Sequence, residues 1–338
     1  MHAIQITKTG GPEVLTFAEV PTPNPGPGEA LIAIEACGVN FIDVYFREGR
    51  YPSHLPFIPG QEAAGTILAL GDGPAPASGS EPVADTVVDN GGFKVGDRVA
   101  WCSIPGTYAQ FAVAPVARLV AVPEGISSLQ AAAAVLQGMT AHYLATSAYA
   151  IQPGDSVLVH AGAGGTGLLL TQIAKKLGAR VFTTVSTEEK AALSRHAGAD
   201  EVILYTQQDF AAEVNRLTAG AGLAAVYDSV GKITFEQSLT CLRRRGILVL
   251  FGGSSGPVPP FDLIRLAAMG SLFVTRPTLK DYTATRADLD SRAQDIFRWL
   301  ADGSLHLRIE HTYPLASAAQ AHRDLEARKT TGKVLLIP

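Results

Sequence analysis

The sequence predicts an α/β fold in which a doubly wound parallel sheet follows an irregular, β-rich domain. Three observations predict it. Short Val- and Ile-rich runs separated by Pro and Gly fill the first part of the chain, apolar runs alternate with helical runs in the second part, and a glycine-rich turn joins one of those strands to a helix. Strands that alternate with helices form a parallel sheet, whereas short strands between turn residues are typical of an all-β arrangement.

The first 125 residues carry five segments that we predict to be strands. They are ALIAIEACGV, AAGTILAL, DRVAW, AQFAVA and LVAVP, and the turn-rich PNPGPGE precedes the first of them. Residues 72–92 are rich in Pro, Gly, Ser and acids, which indicates an exposed loop insertion. We assign 1–125 to this domain together with the tail 300–338, which ends in a helix and the strand KVLLIP.

Residues 126–299 alternate helices and strands. SSLQ, at 127–130, is a capping box that begins an Ala-rich helix, and Ser317 and Gln320 repeat its spacing in the tail. SVLVH leads through the glycine run into the helix LLLTQIAKKLG, and ARVFTTV leads into STEEKAALSRHAG. The strands EVILY, AAVYDSV, GILVLFGG and GSLFVT follow, and their near-continuous apolar character is typical of a sheet buried on both faces.

Composition excludes several classes of protein. A net charge of -4 leaves no basic surplus for binding nucleic acid. No apolar run is long enough to span a membrane, and the N-terminal MHAIQITKTGG lacks the order of a signal peptide, so we expect a cytoplasmic protein. The three cysteines, Cys37, Cys102 and Cys241, are far apart, which suits a reducing compartment and excludes a multi-cysteine zinc lobe.

The stretch VLVHAGAGGTG contains a phosphate-binding pattern. Gly162, Gly164 and Gly167 match G-x-G-x-x-G between a predicted strand and a predicted helix. In this motif one glycine permits a tight turn, a second lets the backbone approach a pyrophosphate, and a third lets helix and strand pack closely. The helix then presents its first N–H groups to the anion. The alternative is a connector without a ligand, while a P-loop is excluded because no Gly-Lys-Ser/Thr follows.

The end of the next strand favours NADPH over NADH. An NAD site usually places Asp or Glu there, about 20 residues after the glycines, to bind the ribose 2′-hydroxyl. This strand ends TTVS without an acid, and Ser186 with Glu189 fits a capping box at the start of the following helix. Lys190, on the first turns of that helix, favours a 2′-phosphate, although a solvated position is the commoner fate of a lysine.

A second motif predicts different chemistry. GGSSG, at 252–256, matches the G-x-S-x-G nucleophile elbow and would make Ser254 the nucleophile of a serine hydrolase. The elbow requires a helix directly after it, yet the proline-rich PVPPF follows. Spacing selects no triad partner from among Asp262, His306, His311 and His322. We favour a ligand-lining loop at the carboxyl end of a parallel strand.

Seven stretches together resemble one known family. They are GVNFIDVYFREGRYP, PGQEAAG, GMTAHYL, HAGAGGTG, VYDSVG, LRRRGILVLFGGSSGPV and GSLFVTRPTL. Apart from 72–92, nearly the whole chain resembles the zinc-independent quinone oxidoreductases (zeta-crystallin-like) of the medium-chain dehydrogenase/reductase superfamily. The resemblance implies a Rossmann-type NADPH-binding domain at 126–299, a GroES-like substrate domain, and hydride transfer to a quinone in a cleft between them.

The resemblance also implies a site without metal. Zinc-dependent relatives have CGVCHTD where this chain has CGVNFID, and GHE where it has GQE, so Asn40 and Gln61 stand at zinc-ligand positions. An amide is not a usual zinc ligand, and Cys37 is the wrong cysteine of the motif, which indicates a small buried residue. A quinone is already a good electron acceptor, so hydrogen bonds and desolvation can stabilise the developing charge without a Lewis acid.

Site residues follow from the same resemblance. The catalytic candidates, at the nicotinamide and substrate pocket, are Tyr45, Asn40, Asp43 and Thr140. The cofactor-binding candidates are Asn40, Thr140, Ala163, Gly164, Gly165, Thr166, Gly167, Ser186, Lys190, Tyr205, Phe251, Gly252, Ser254, Ser255 and Arg328. Tyr45 is our preferred hydrogen-bonding residue at the acceptor, and we assign no general acid. Structural alternatives remain open: Asn40 and Asp43 can hold an irregular turn, and the larger side chains can be packing or surface residues.

The resemblance leaves other matters open. An NADPH-dependent alkenal or enone reductase has the same fold and cofactor and is the nearest alternative. A non-catalytic NADPH-binding protein is another, since lens crystallins of this family have a structural use. We also expect a homodimer that forms through the edge strand at 271–277, because the apolar residues of an exposed edge strand favour burial against a partner. The alternative is that another segment of the same chain buries this strand.

Overall fold

The computed structural model describes residues 1–71 and 91–338. The predicted insertion at 72–92 therefore lies outside the described residues, apart from Gly91 and Gly92. The chain forms two compact units: the first contains 1–136 and 283–338, and the second contains 137–282. No helix in the described part of the chain is both long and apolar enough to cross a membrane.

The described residues contain fifteen strands and ten α-helices. The strands are β1 His2–Gln5, β2 Thr16–Glu19, β3 Glu29–Val39, β4 Glu62–Leu70, β5 Arg98–Cys102, β6 Phe111–Pro115, β7 Val120–Ala121, β8 Ser156–Val159, β9 Arg180–Val185, β10 Glu201–Leu204, β11 Leu223–Asp228, β12 Leu242–Leu250, β13 Phe273–Thr275, β14 Ile309–Pro314 and β15 Lys333–Ile337. The helices are α1 Phe41–Arg47, α2 Ser128–Tyr143, α3 Gly165–Lys176, α4 Glu188–His196, α5 Phe210–Leu217, α6 Phe235–Thr240, α7 Ile264–Ala268, α8 Leu279–Tyr282, α9 Arg286–Ala301 and α10 Ala318–Glu326.

The first unit is built on a seven-stranded sheet with β3 near its centre. The order is β14-β15-β3-β4-β5-β7, and β6 also pairs with β3. Along the first half of β3, buried residues alternate with partly exposed ones, which is the period of a strand with one covered face. The core of this unit contains Trp101, Ile32 and Ile67, which are at most 1% exposed.

The second unit is a six-stranded sheet whose neighbouring strands all run parallel. Its order is β10-β9-β8-β11-β12-β13. Every residue of β11 is buried, as predicted for a strand that is covered on both faces. The strand order reverses between β8 and β11, and doubly wound sheets bind ligands at the carboxyl edge of such a reversal.

The boundaries between the units differ from the predicted 125/126 and 299/300. The first part of α2 and all of α9 belong to the first unit because of their contacts there. The Leu136 N–H donates to Glu62 Oε2 (2.9 Å), and Arg286, at the start of α9, donates to the carbonyl of Leu119 (2.8 Å). A change of composition along the chain did not reveal these contacts.

The predicted cap of α2 is confirmed. The Ser127 N–H donates to Gln130 Oε1 (2.9 Å), and the Gln130 N–H donates to Ser127 Oγ (3.2 Å). This reciprocal pair satisfies two N–H groups that have no partner within the helix. The start of the Ala-rich helix is therefore fixed by four consecutive residues, as the sequence predicts.

Two other predicted caps are wrong. Thr187, not Ser186, is the N-cap of α4 and accepts from the Lys190 N–H (3.3 Å), because Thr187 has the extended backbone that a capping side chain needs (φ -141°, ψ 163°). Ser317 precedes α10 but makes no capping bond, because its backbone is not extended (φ -97°, ψ 16°). Gln320 instead donates to Asp324 (3.0 Å).

Candidate functional site

The glycine run forms the turn between β8 and α3, at the carboxyl edge of the parallel sheet. Gly164 is the N-cap and α3 begins at Gly165. The N–H groups of Gly165, Thr166 and Gly167 therefore have no partner within the helix. Together with the helix dipole, they make this turn suitable for an anion.

Each glycine of the motif has a different environment. A Cβ on Gly162 would lie 2.6 Å from Thr183 Cβ, and a Cβ on Gly167 would overlap the carbonyl oxygen of Ala161. A Cβ on Gly164 would have that same oxygen at 3.3 Å and, chain neighbours aside, no other heavy atom of the described residues within 4 Å. Gly162 and Gly167 thus permit close packing, whereas Gly164 leaves room for a group to approach the backbone.

The positive backbone φ at this turn does not belong to a motif glycine. The left-handed residue of the turn is Ala161 (φ 53°), and none of the motif glycines has a positive φ. The Gly164 N–H donates to the Ala161 carbonyl (2.9 Å), which closes the turn. A non-glycine residue with positive φ is uncommon and costs free energy, so the surrounding packing must stabilise it.

Three of the predicted cofactor-binding residues, Ser186, Lys190 and Tyr205, are brought to neighbouring positions in the fold. Each directly follows or precedes, in the chain, a member of one buried apolar cluster. That cluster consists of Ala163, Val185, Ala191 and Leu204. The Tyr205 N–H also donates to the Val185 carbonyl (3.2 Å), so β9 and β10 end side by side. The same cluster includes Ala163 of the glycine turn, which ties this region to the anion site.

The two acids that follow β9, Glu188 and Glu189, lie in the first turn of α4. Glu188 lies 3.5 Å from Arg195 on the exposed face of α4. A hydrogen bond with Thr187 lowers the pKa of Glu189. Neither acid directly follows the end of β9, where an NAD site places its carboxylate.

The loops after β11 and β12 are joined through their backbones. The N–H groups of Phe251 and Gly252 donate to the carbonyl of Asp228 (2.8 and 3.2 Å). A Cβ on Gly252 would lie 2.5 Å from the Ser229 carbonyl oxygen, so the approach requires glycine. The predicted cofactor-binding residues Phe251 and Gly252 therefore lie in a loop whose course is fixed by hydrogen bonds to the neighbouring loop.

The two serines of this loop differ in role. Ser255 Oγ donates to the Val230 carbonyl (2.7 Å) and accepts from the Ile233 N–H (3.1 Å), which holds the two loops together. Ser254 is in a turn, and the next helix begins only at Ile264. The strand-turn-helix of a nucleophile elbow is absent from this described segment, which removes the main structural support for a serine hydrolase.

A buried polar network beneath these loops was missed in the sequence. His160 Nδ1 lies 2.8 Å from Thr184 Oγ1, and its Nε2 lies 2.9 Å from Ser238 Oγ. Asp228 accepts the Thr234 hydroxyl (2.7 Å) and two backbone N–H groups of the loop after β11 (2.7 and 3.0 Å). Burial lowers the pKa of His160, and the charge of Asp228 opposes this. In the sequence, a polar residue at or near the end of an apolar strand, such as His160, Thr184 or Asp228, was the feature that could have indicated this network.

In the first unit, Asn40 and Asp43 fix the start of α1. The Asn40 N–H donates to Asp43 Oδ2 (2.8 Å), and the Tyr108 hydroxyl donates to the same oxygen (3.0 Å). Asp43 is fully buried, and its Oδ1 has no hydrogen-bond partner among the described residues. Burial raises the pKa of Asp43 to about 7, while the two hydrogen bonds lower it. The backbone-holding alternative is thus realised for Asp43.

Tyr108 links this carboxyl group to α10. His322 Nε2 lies 3.1 Å from Tyr108 Oη, and His322 Nδ1 lies 3.1 Å from Arg47 Nη1. Because a guanidinium only donates, Nδ1 accepts and Nε2 carries the proton. Burial and the charge of Arg47 lower the pKa of His322 to about 3. Arg47, itself buried, donates to both carboxylate oxygens of Glu326 (2.8 and 2.9 Å).

The side chain of Asn40 lies in a second buried cluster. Its Nδ2 donates to Glu62 Oε1 (2.6 Å), and its Oδ1 accepts from Lys333 Nζ (3.1 Å). Lys333 also forms a salt bridge with Glu62, and the two side chains are 2% and 0% exposed. The second oxygen of Glu62 accepts the Leu136 N–H. Neither Glu62 nor Lys333 was among the predicted site residues.

The positions of the zinc ligands in related sequences hold amides. Asn40 is occupied by the bonds just described, and Gln61 is buried. Cys37 is fully buried, as predicted, and burial raises the pKa of its thiol well above the usual range. In the parts of the chain that the structure describes, no three His, Cys, Asp or Glu side chains form a group that could hold a metal ion.

The remaining predicted residues lie on both units. Tyr45, on α1, is 7% exposed, with its ring edge-on to Tyr51 (centroids 5.6 Å apart). Thr140 is half-buried on α2, in the part that belongs to the second unit. Arg328 is exposed just after α10, with a left-handed backbone (φ 59°).

The predicted dimer strand is the terminal strand β13 of the parallel sheet. It is shorter than predicted, Phe273–Thr275, and it pairs with β12 along one edge. Phe273 is 57% exposed, and Leu263 and Ile264 are more than 70% exposed. Apolar side chains of this size are therefore uncovered at this end of the second unit.

Comparison with known proteins identifies two matching family models. One, the alcohol dehydrogenase GroES-like domain, matches residues 26–124, and the other, the zinc-binding dehydrogenase, matches residues 197–336. The first match lies within the first unit, and the second match runs from before β10 into β15.

Individual relatives match over their full lengths. A quinone oxidoreductase of Pseudomonas aeruginosa is 43% identical over 337 residues, which is 99% of both chains. A 2-haloacrylate reductase of a Burkholderia species is 39% identical and covers 99% of this chain and 98% of its own. The solved structure of Escherichia coli quinone oxidoreductase complexed with NADPH is 40% identical, with a TM-score of 0.92 over 100% of both chains.

Proposed function

Because the chain belongs to the quinone oxidoreductase family of the medium-chain dehydrogenases/reductases, we infer that it is a zinc-independent reductase that transfers hydride from NADPH to quinones. One observation carries this conclusion. The chain combines two features. A glycine turn suited to a phosphate is followed by a strand, β9, that has no ribose-binding acid after it, and a position at which zinc-dependent relatives have a metal ligand is occupied by Asn40, whose amide is bonded to Glu62 and Lys333.

The second unit fits NADPH. The open side of Gly164 and the N–H groups at the start of α3 suit the pyrophosphate. We assign Ser186, Lys190 and Tyr205 to the 2′-phosphate, because Ser186 rather than an acid directly follows β9 and Lys190 lies in the first turn of α4. Phe251 to Ser255 are assigned to the nicotinamide half, and Arg328 of the first unit is assigned to the cofactor as well. When bound, NADPH supplies the hydride.

The first unit supplies the residues on the acceptor side. Hydride transfer leaves negative charge on a quinone oxygen, and preorganised donors in a site without water stabilise such charge strongly. We assign this donor role to Tyr45 and Asn40, and to Thr140 of the second unit. The product oxygen is a phenolate of moderate basicity, so its proton comes from water. The quinone takes up one hydride and one proton and leaves as the hydroquinone.

Asp43 has a different role in this proposal. Its Oδ2 accepts two hydrogen bonds and it is fully buried, so we assign it to holding the start of α1 rather than to proton donation. The helix that it holds carries Tyr45 two residues later. The proposal thus moves Asp43 from the catalytic group to the residues that position α1.

An enone reductase is the second candidate function. It is favoured by the identity of 39% to a 2-haloacrylate reductase, since a haloacrylate is an α,β-unsaturated acid. In that reaction the hydride adds to the β-carbon and charge again develops on oxygen, so the same donors serve both acceptors.

We also propose that the chain forms a homodimer and acts in the cytoplasm. The exposed Phe273 and Val274 of β13 support pairing of two copies across this edge. The three cysteines are buried and none is in a disulfide, which suits a reducing compartment.

Steady-state NADPH oxidation with 1,4-benzoquinone and with an α,β-unsaturated aldehyde tests the acceptor class. We expect a higher kcat/KM for the quinone. A higher kcat/KM for the aldehyde would support the enone reductase instead. NADPH binding without oxidation by any acceptor would identify a non-catalytic binding protein. Ester hydrolysis that Ser254→Ala abolishes would identify a hydrolase.

A further inference from the structure

Lys333 is a buried cation to which the proposed function assigns no role. Its side chain is 2% exposed, and its ammonium group contacts Glu62 and the amide oxygen of Asn40. Lysine is almost never buried without a partner, because an isolated buried charge is costly. Lys333 and Glu62 therefore require each other at this position.

Three strands of the first unit bring the cluster together. Glu62 begins β4, Lys333 begins β15, and Asn40 directly follows β3, which pairs with both of the other strands. Gly38 of β3 lies between the charges, and a Cβ there would overlap Glu62 Oε1 and Lys333 Nζ. A side chain at this position would therefore displace the ion pair, and glycine leaves it room.

The ion pair determines which way the Asn40 amide points. Its oxygen accepts from the ammonium, and its nitrogen donates to the carboxylate. An amide has a donor end and an acceptor end of similar shape, and two opposite charges distinguish those ends. Without the Lys333 side chain, the bond that holds the oxygen end is lost.

The same carboxylate reaches α2. Glu62 Oε2 accepts the Leu136 N–H, in the part of α2 that belongs to the first unit. One buried cluster therefore contacts both α2 and Asn40, the residue that precedes α1. Asn40 is a residue that we assign to the acceptor.

We propose that Lys333 is a positioning residue for quinone reduction, whose ammonium neutralises Glu62 and holds the Asn40 amide in its working orientation at a position where zinc-dependent relatives bind a metal cation. This inference rests on the proposed function, in which Asn40 serves the acceptor. Lys333 acts through Asn40 and contacts neither acceptor nor cofactor in this proposal.

The test uses the charge-neutral double variant Glu62→Gln/Lys333→Met, because Lys333→Met alone leaves a buried carboxylate without its partner. We expect kcat/KM for the accepted quinone to fall by about 10–100-fold, as is typical when a residue that orients a site ligand is lost. The Kd for NADPH, from fluorescence titration, stays within about twofold, since the cofactor turn belongs to the second unit. A double variant with the wild-type kcat/KM would overturn the proposal.

A mutant cycle separates positioning from a purely structural role. Asn40→Ala is measured alone and in the charge-neutral background. If Lys333 acts through Asn40, adding Asn40→Ala to that background lowers kcat/KM by less than about twofold, far from additive. If Asn40→Ala lowered kcat/KM by the same factor in the wild-type and the charge-neutral backgrounds, the proposal would be overturned, whatever the changes in melting temperature.

Gly38→Ala provides a second variant that alters no charge. Its Cβ displaces the ion pair, so kcat/KM for the quinone should fall while NADPH binding is kept. An unchanged kcat/KM would overturn the proposal even if the charge-neutral variant failed to fold. If the unmodified protein reduced no quinone, the proposed function would be wrong, and the cycle would then be measured with the acceptor that the protein does reduce.

Discussion

The two units hold their candidate site residues by different means. In the second unit, glycine, backbone N–H groups and backbone hydrogen bonds between loops form the cofactor side, above a buried polar network that contains His160 and Asp228. In the first unit, buried titratable side chains hold α1 and Asn40 directly, through Asp43 on one side and Lys333 on the other. Backbone donors do not titrate, whereas buried charges respond to pH and to their partners. The cofactor side should therefore be sensitive to added volume, and the acceptor side to altered charge.

Among the substitutions considered, Asp43→Asn, in the first unit, should cause the largest change in the free energy of unfolding, and that change should depend on pH. Asp43 keeps its proton up to about pH 7 when folded but releases it above its ordinary value of 3.8 when unfolded, so its contribution to stability falls as pH rises between these values. A rise of that size corresponds to about 4 kcal/mol. Unfolding followed from pH 4 to 8 should show the variant gaining stability relative to wild type.

The same comparison contains its control. His322, whose pKa is lowered to about 3, has the opposite sign: its contribution to stability falls as pH drops below its ordinary value of 6.5. Both proteins contain His322, so its effect cancels in the difference. A difference in stability between variant and wild type that does not change with pH would contradict the charge-based account of the first unit.

Gly167→Ala should be the most damaging small change in the cofactor turn. Its Cβ would meet the backbone of Ala161 and lie 3.1 Å from Gly162 Cα, and backbone cannot move aside as a side chain can. Overpacking of this kind costs about 1–3 kcal/mol. We expect both a lower melting temperature and weaker NADPH binding.

Gly164→Ala is the matched control for that change. Its Cβ has a single non-neighbouring atom of the protein nearby, at 3.3 Å, but occupies the side that we assign to the pyrophosphate. NADPH should bind more weakly while the melting temperature stays close to wild type. Equal losses of stability in the two variants would show that the motif glycines serve packing alone.

Lys190→Ala tests the choice of cofactor. Loss of a hydrogen bond to a charged phosphate costs about 1.5–3 kcal/mol, so the Kd for NADPH should rise by about 10–100-fold. NADH has no 2′-phosphate and should bind as before. Lys94→Ala, on the first unit, is the control for lost surface charge. A parallel loss for both nucleotides would remove Lys190 from the phosphate site.

The smallest changes in stability are expected for the two serines of the loop after β12, and the two should differ. Ser255→Ala removes two hydrogen bonds that join the loops and should cost about 1–2 kcal/mol of stability. Ser254→Ala should change stability by less than about 0.5 kcal/mol, because the backbone N–H of residue 254 holds the loop in either case. The reverse order would indicate that Ser254 has a role that the loop contacts do not explain.

Local patterns predicted most of the second unit. Apolar strands, the glycine turn and the missing acid after β9 lie close together in the chain, so their consequences can be inferred from neighbouring residues. The cap at Thr187 was misplaced by one residue because Ser186 and Thr187 are both capping residues, and the backbone angles that decide between them are not visible in the sequence. Ala161 shows the same limit, since alanine gives no signal for a left-handed turn.

The first unit was less predictable because its site depends on long-range partners. Lys333 and Glu62 are 271 positions apart, and Tyr108 and His322 are 214 positions apart. A lysine at the start of an apolar strand was the available signal for a buried ion pair, but no local pattern names its partner. Asn40 was recognised through the family motif alone, and the charges that hold it were not.

NADPH oxidation with 1,4-benzoquinone by metal-free protein tests the central claim most directly. The protein is treated with a strong chelator, its metal content is measured, and kcat/KM is determined before and after treatment. The account predicts the same kcat/KM at less than stoichiometric metal, since we assign the acceptor side to Asn40 and Tyr45, with the buried ion pair holding Asn40, and not to a metal. Loss of quinone reduction on chelation, with recovery when zinc is returned, would contradict it.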